Sequence, residues 1–215
     1  MLRCKHCNGH YLAHMPDVST PEKLKDFASH HWVNKGVGLL VSGGSTPDGK
    51  VPLEEFYPAL RWIKDNTGLI INLHTGLMSR KEIIEIAAIG VDVASIDLVG
   101  DNGTIKRVYG LNANSSDYEN TLHGLKDAGV NVVPHVCVGL DYGELVGEIH
   151  ALEIAAEVRP EVIGVIALMP TEGTPMESSA APRVEDVTRV IAEARRISPM
   201  SEVSLGCMHS RIEKL

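Results

Sequence analysis

Residues 130–140 read VNVVPHVCVGL. A run this rich in valine, closed by a glycine and far shorter than the ~18 residues of a membrane span, reads as a buried strand rather than a helix or a transmembrane segment. The stretch after it, GELVGEIHALEIAAEVRP (143–160), has helical character, and EVIGVIALMP (161–170) is again an apolar run. Strand, helix, strand at roughly 30 residues per unit is the signature of β/α crossovers and a parallel sheet.

The same alternation extends in both directions. Towards the N-terminus, VDVASIDLVG (91–100), LIINLHTG (69–76) and VGLLVSGG (37–44) read as strands. The helices between them are SRKEIIEIAAIG (79–90), PLEEFYPALRWIKDNTG (52–68), with a kink expected at Pro58, and DVSTPEKLKDFASHHWVNKG (17–36). Thr20 is expected to cap that first helix, with Pro21 at its first position and Gly36 ending it. DNGTIKRVYGLNANSS (101–116) reads as a long polar loop and DYENTLHGLKDAG (117–129) as a helix. Towards the C-terminus, RVEDVTRVIAEARRI (183–197) is a helix and EVSLGC (202–207) a short strand. Continuous Val/Ile/Leu runs predict strands buried on both faces. The expected fold is α/β, a partial TIM-type β/α barrel of about six parallel strands, forming a single domain over 1–215. A loop at 1–16 precedes β/α units over 17–215, and no strand 1 stands ahead of them.

Composition narrows the function. The 215 residues carry a formal charge of −8, with 44% apolar and only 4% aromatic residues. No Lys/Arg cluster offers a footprint for a nucleic-acid backbone, no apolar run suits a membrane span, and four cysteines without a framework point to a reducing, cytoplasmic setting.

The residues that break the apolar runs gather at the strands' C-terminal ends, where β/α proteins bind ligands. They are Ser42-Gly43-Gly44, His74-Thr75-Gly76, Asp97, His135 to Gly139, Met169-Pro170-Thr171 and Cys207-Met208-His209. At the start of the chain, MLRCKHCNGH places Cys4 and Cys7 in a Cys-x-x-Cys spacing. With His10 and His14 nearby, the four could form a tight zinc site, although the span is short for one. The consecutive glycines of VSGGST (41–46) suit either a turn or the close approach of a ligand.

A cysteine loop, a helix, a strand ending in Gly-Gly and then further β/α units resembles the radical S-adenosylmethionine (radical SAM) superfamily, in its biotin synthase/lipoyl synthase-like branch. The CKHCNGHYLAHM run (4–15) is most similar to archaeal-type members, including components of a two-protein lipoyl synthase. HVCVGLDYGE (135–144), ALMPTEGTPME (167–177) and LGCMHSR (205–211) resemble its later strand ends. The resemblance implies a [4Fe–4S] cluster held by three cysteines in C-x3-C-x2-C, with S-adenosyl-L-methionine on the open iron. Cys4 and Cys7 match the second and third cysteines. The first would fall immediately before Met1, so an N-terminal truncation is expected. Gly43, Gly44 and Ser45 would hold the methionine end, with Ser45 replacing the family's glutamate. Asp97, Gly139, Leu168 and Met169 would frame ribose and adenine, with Asp97 on the ribose hydroxyls. His74, Cys207 and Arg211 are candidates for the substrate side.

The resemblance further implies a small-molecule or lipoyl/biotin-type substrate, an external one-electron reductant and a possible second subunit. Two other readings stay open: a cofactor-free enzyme using VSGGS as a phosphate loop, and a truncated or degenerate partner subunit without catalysis.

Overall fold

The computed structural model describes residues 2–206. Six strands form one parallel sheet in the order β1-β2-β3-β4-β5-β6: β1 (Gly38–Val41), β2 (Ile70–His74), β3 (Val93–Asp97), β4 (Asn131–Val138), β5 (Val162–Ala167) and β6 (Glu202–Leu205). Among the described residues β1 pairs only with β2 and β6 only with β5, so the sheet is an open, partial barrel. The crossovers are α1 (Pro21–Val33, ahead of β1), α2 (Tyr57–Asn66), α3 (Arg80–Ile89), the short α4 (Asn102–Thr104), α5 (Ser115–Asp127), α6 (Glu148–Glu157) and α7 (Val184–Ile197). None of them is long and apolar enough to cross a membrane.

Local chemistry sets the helix ends. The Thr20 hydroxyl accepts from the Lys23 amide at 3.2 Å, and Pro21 opens α1 where no amide is needed. Ser79 and Glu82 form a reciprocal capping box on α3, which ends at Gly90 with φ of 85°. Three expectations change. α1 ends at Val33, before Gly36. Pro58 lies in the first turn of α2, after a 3-10 turn at Glu54–Phe56, so it starts a helix rather than kinking one. Residues 101–109 are not a loop: α4 runs straight into a π-helical turn, Ile105–Tyr109, because Ile105 and Val108 bury completely.

The core lies between the sheet's outer face and the helices. Ile71, Leu73, Ala94, Ile96, Val132, Val136, Ile163 and Val165 point outward and are at most 3% exposed. Each such large side chain gains ~1.5–3 kcal/mol on leaving water. The inner face differs from the both-faces-buried expectation: Asn72, His74, Ser95, Asp97, His135 and Cys137 alternate with those apolar residues, and all but Ser95 are only partly buried. The open barrel leaves this face only partly covered.

Candidate functional site

The cysteine loop sits over the strands' C-terminal ends. Its turn closes through the Asn8 amide to the Cys4 carbonyl at 2.8 Å and the His10 amide to the Cys7 carbonyl at 2.7 Å, with Asn8 and Gly9 at positive φ. Three tethers spread it across the barrel mouth. The Leu2 amide donates to the Ser45 carbonyl after β1 at 2.6 Å, and the Lys5 amide to the Val108 carbonyl after β3 at 2.8 Å. The Tyr11 hydroxyl meets Thr171 Oγ1 after β5 at 3.0 Å.

The two thiols face each other. Hydrogen bonding between them, together with burial, pushes Cys4 up, while the Cys4 bond and the neighbouring His6 draw Cys7 down. His6 stands edge-on to Tyr109 with ring centroids 5.4 Å apart, and its buried Nδ1 has no hydrogen-bond partner. His10 and His14 pack on one another instead of joining the thiols. Among the described residues the set of three convergent ligand atoms is Glu119, His123 and Glu157, on α5 and α6, so the four-residue zinc geometry does not form.

Below the loop a polar strip crosses four strands. Ser42 Oγ lies 3.2 Å from His74 Nδ1, His74 Nε2 lies 3.3 Å from Asp97 Oδ2, and Asp97 Oδ1 lies 3.6 Å from His135 Nδ1. One layer down, Ser95 Oγ donates to Asn72 Oδ1 at 2.9 Å. Burial opposes the Asp97 charge, but the two imidazoles outweigh it and hold the carboxyl well below the usual range. Asp97 in turn raises His74 above an ordinary histidine against the opposing effect of burial.

The other candidates fall around this strip. Gly43 and Gly44, with Ser42, border a cavity of about 650 Å³ whose walls include Leu24, Phe27, Leu53 and Phe56. Ser45 engages the cysteine loop through its carbonyl. Gly139, at φ 73°, donates its amide to Glu148 at 2.8 Å, and Glu148 also accepts from Val146 and Gly147. The buried Glu148 carboxylate therefore shapes the loop after β4. The Leu168 side chain is buried and its amide donates to the Val138 carbonyl at 2.9 Å. The Met169 carbonyl accepts from the Thr171 hydroxyl. Cys207 and Arg211 lie outside the described residues. Burial pushes the Cys137 thiol up, consistent with packing.

Residues 1–145 match the radical SAM superfamily. The chain belongs to that superfamily. Radical SAM relatives at modest identity are biotin synthases: that of Prochlorococcus marinus is 27% identical over 170 residues, 78% of this chain and 50% of its own. That of Photobacterium profundum is 26% identical over 215 residues, 94% of this chain and 59% of its own. The chain thus spans about half the length of the curated relatives it matches. Among solved radical SAM folds, methylornithine synthase (PylB) superposes with TM-score 0.67 at 16% identity, covering 100% of this chain and 70% of that one. SuiB of Streptococcus suis, bound to S-adenosylmethionine, gives 0.70 at 12% identity over 95% of this chain and 47% of that one.

Radical SAM membership implies a [4Fe–4S] cluster and S-adenosylmethionine. The donor chemistry here fits such a cluster: two adjacent thiols beside a buried imidazole nitrogen that lacks a partner. The pair supplies two thiols where the family uses three, and among the described residues no third thiol converges on them, Cys137 lying in β4. Glu148 and Tyr109 were not among the sequence candidates. The spacing of Asn72 from His74 and of Ser95 from Asp97, two apart on each strand, was the available sign of a polar inner face.

Proposed function

We propose that this chain is the catalytic barrel of a radical SAM enzyme of the biotin synthase/lipoyl synthase-like branch, acting on a small molecule held against the inner face. The observation that carries the reading is the Cys4/Cys7 pair tethered over the mouth of the barrel, facing the polar strip. Cys4 and Cys7 would hold two irons of the cluster, with the third thiolate supplied from outside the described residues. When bound, cluster and S-adenosylmethionine supply a 5′-deoxyadenosyl radical that takes a hydrogen atom from substrate, given one electron from an external reductant.

The chain's own residues shelter and orient. Gly43, Gly44 and Ser45 line the approach to the loop for the methionine end. Gly139, fixed by Glu148, and the backbone at Leu168 and Met169 form the rim for the adenine. Asp97 is already engaged by two histidines, so its proposed ribose contact would have to be made alongside them. His74 is held by Ser42 and Asp97 on the substrate side, and Cys207 and Arg211 remain candidates there.

Anaerobic reconstitution with iron and sulfide, followed by dithionite and S-adenosylmethionine, tests this. The expected result is a [4Fe–4S] absorption spectrum and release of 5′-deoxyadenosine. One zinc per chain, or no metal and no cleavage, overturns the reading for this chain.

A further inference from the structure

Below the cysteine loop, the inner face carries acid–base groups that cluster binding leaves unused. The two ends of the Asp97 carboxylate face different imidazoles: Oδ2 is 3.3 Å from His74 Nε2, and Oδ1 is 3.6 Å from His135 Nδ1. An ionised carboxylate attracts an N–H and repels a nitrogen lone pair, so it selects the tautomer of each ring. At His135 the proton belongs on Nδ1, which leaves the lone pair on Nε2. No group among the described residues hydrogen-bonds that Nε2. His74 differs, because its other nitrogen is taken by Ser42 Oγ at 3.2 Å.

Space is provided for the same atom. The His135 ring lies over Gly164 on β5, its partner in the strand register. A Cβ there would stand 2.3 Å from His135 Cδ2 and 3.1 Å from Nε2, so any side chain at 164 would displace the ring. The side chains of His135 and His74 are each 30% exposed and that of Asp97 39%, so the strip opens into the barrel instead of packing shut. The other titratable groups close enough to feel Asp97 are Cys4, Tyr109, Tyr118 and Cys137. Burial holds both tyrosines and Cys137 uncharged, which leaves Asp97 as the carboxylate both imidazoles face.

We propose that His135 Nε2 is a general base aimed into the barrel, with Asp97 as its positioning residue, and that it takes a proton from a substrate O–H or N–H. This rests on the radical SAM reading and narrows its substrate. Removing a hydrogen atom from an unactivated chain carbon leaves an unpaired electron and no proton for a base to accept. Where the reacting carbon carries a hydroxyl or amino group, that group's proton moves to Nε2 and its electron pair stays on the oxygen or nitrogen. The imidazolium so formed is balanced by the Asp97 carboxylate, the arrangement by which a carboxylate supports a catalytic histidine. The substrate class is therefore a small alcohol or amine reacting at its heteroatom-bearing carbon.

The test uses the chain without cluster, so its outcome is separate from that of reconstitution. Long-range proton–nitrogen spectra of ¹⁵N-labelled protein at pH 8 should show His135 protonated on Nδ1 alone. Diethyl pyrocarbonate acylates an unprotonated ring nitrogen, and peptide mass spectrometry then reads each histidine. His135, whose Nε2 has no partner among the described residues, should react faster than His74, whose other nitrogen is taken by Ser42, and Asp97→Asn, which frees the His74 tautomer, should bring the two rates together. A proton on His135 Nε2, or equal rates in the parent chain, overturns the proposal whatever reconstitution shows.

Discussion

Leu73 and His74 are neighbours on β2 and stand on opposite faces of the sheet. Leu73 is fully buried against the helices, while His74 reaches Ser42 and Asp97 across the open interior. The contrast repeats at Ile96 and Asp97 on β3 and at His135 and Val136 on β4. One set of strands therefore serves two purposes, with alternate residues assigned to each. Outward positions are interchangeable within limits of volume, because what they contribute is buried area. Inward positions are specified by hydrogen-bonding and charge, and removing them costs chemistry before it costs stability.

The largest effect expected from breaking this division is at the loop above the inner face. Cys7→Ser should reduce iron retained after reconstitution to background, with the far-ultraviolet circular dichroism spectrum unchanged. Loss of secondary structure in that variant would show that the loop belongs to the fold. On the outer face, Ile96→Ala should lower unfolding free energy by ~2–5 kcal/mol, the cost of a large core truncation, measured by the urea midpoint at constant slope. A change under ~1 kcal/mol would mean that the core can collapse around the site. At the helix ends, Ser79→Ala removes the α3 capping box and should cost ~1 kcal/mol by the same measurement.

The smallest effect, and the sharpest for the comparison, is in pH. Folded Asp97 ionises below its ordinary 3.8, so its contribution holds above 3.8 and is lost as pH falls towards the folded value. Folded His74 titrates above its ordinary 6.5, so its contribution is complete below 6.5 and is lost as pH rises through the raised value. The stability gap between the parent and Asp97→Asn should therefore peak between pH 3.8 and 6.5 and narrow on either side. A gap that is flat with pH would detach the inner strip from folding altogether.

The outer face was legible in the sequence because apolar runs report burial directly. Strand order followed from the β/α alternation, and the caps at Thr20, Ser79 and Gly90 stood in the expected residue types. The inner face was misread because Val, Ile and Leu dominate each run and mask the polar residue at every second position. The turn at 101–109 was hidden by its Asn-Gly-Thr opening, although Ile105 and Val108, three apart, signal a helical face. In the site, Gly-Gly and Cys-x-x-Cys announced themselves by spacing. The Ser42, His74, Asp97 and His135 strip did not, because three of its members lie on different strands, Ser42 follows a fourth, and they meet only through the sheet register. For the same reason the sharing of Asp97 between two imidazoles could not be read from the sequence.

The three tethers of the cysteine loop have a consequence for exchange and access. Its 3-10 turn, His10–His14, buries none of its own residues, so little apolar area opposes its detachment. Amides at 2–14 should therefore exchange with deuterated solvent far sooner than those of β3 and β4, through local opening rather than global unfolding. Because one tether reaches Thr171 at the end of β5, a molecule that orders that rim should slow exchange in the loop on the other side of the barrel. Transient release of this segment would give metal and sulfide a route to the thiols without disturbing the sheet.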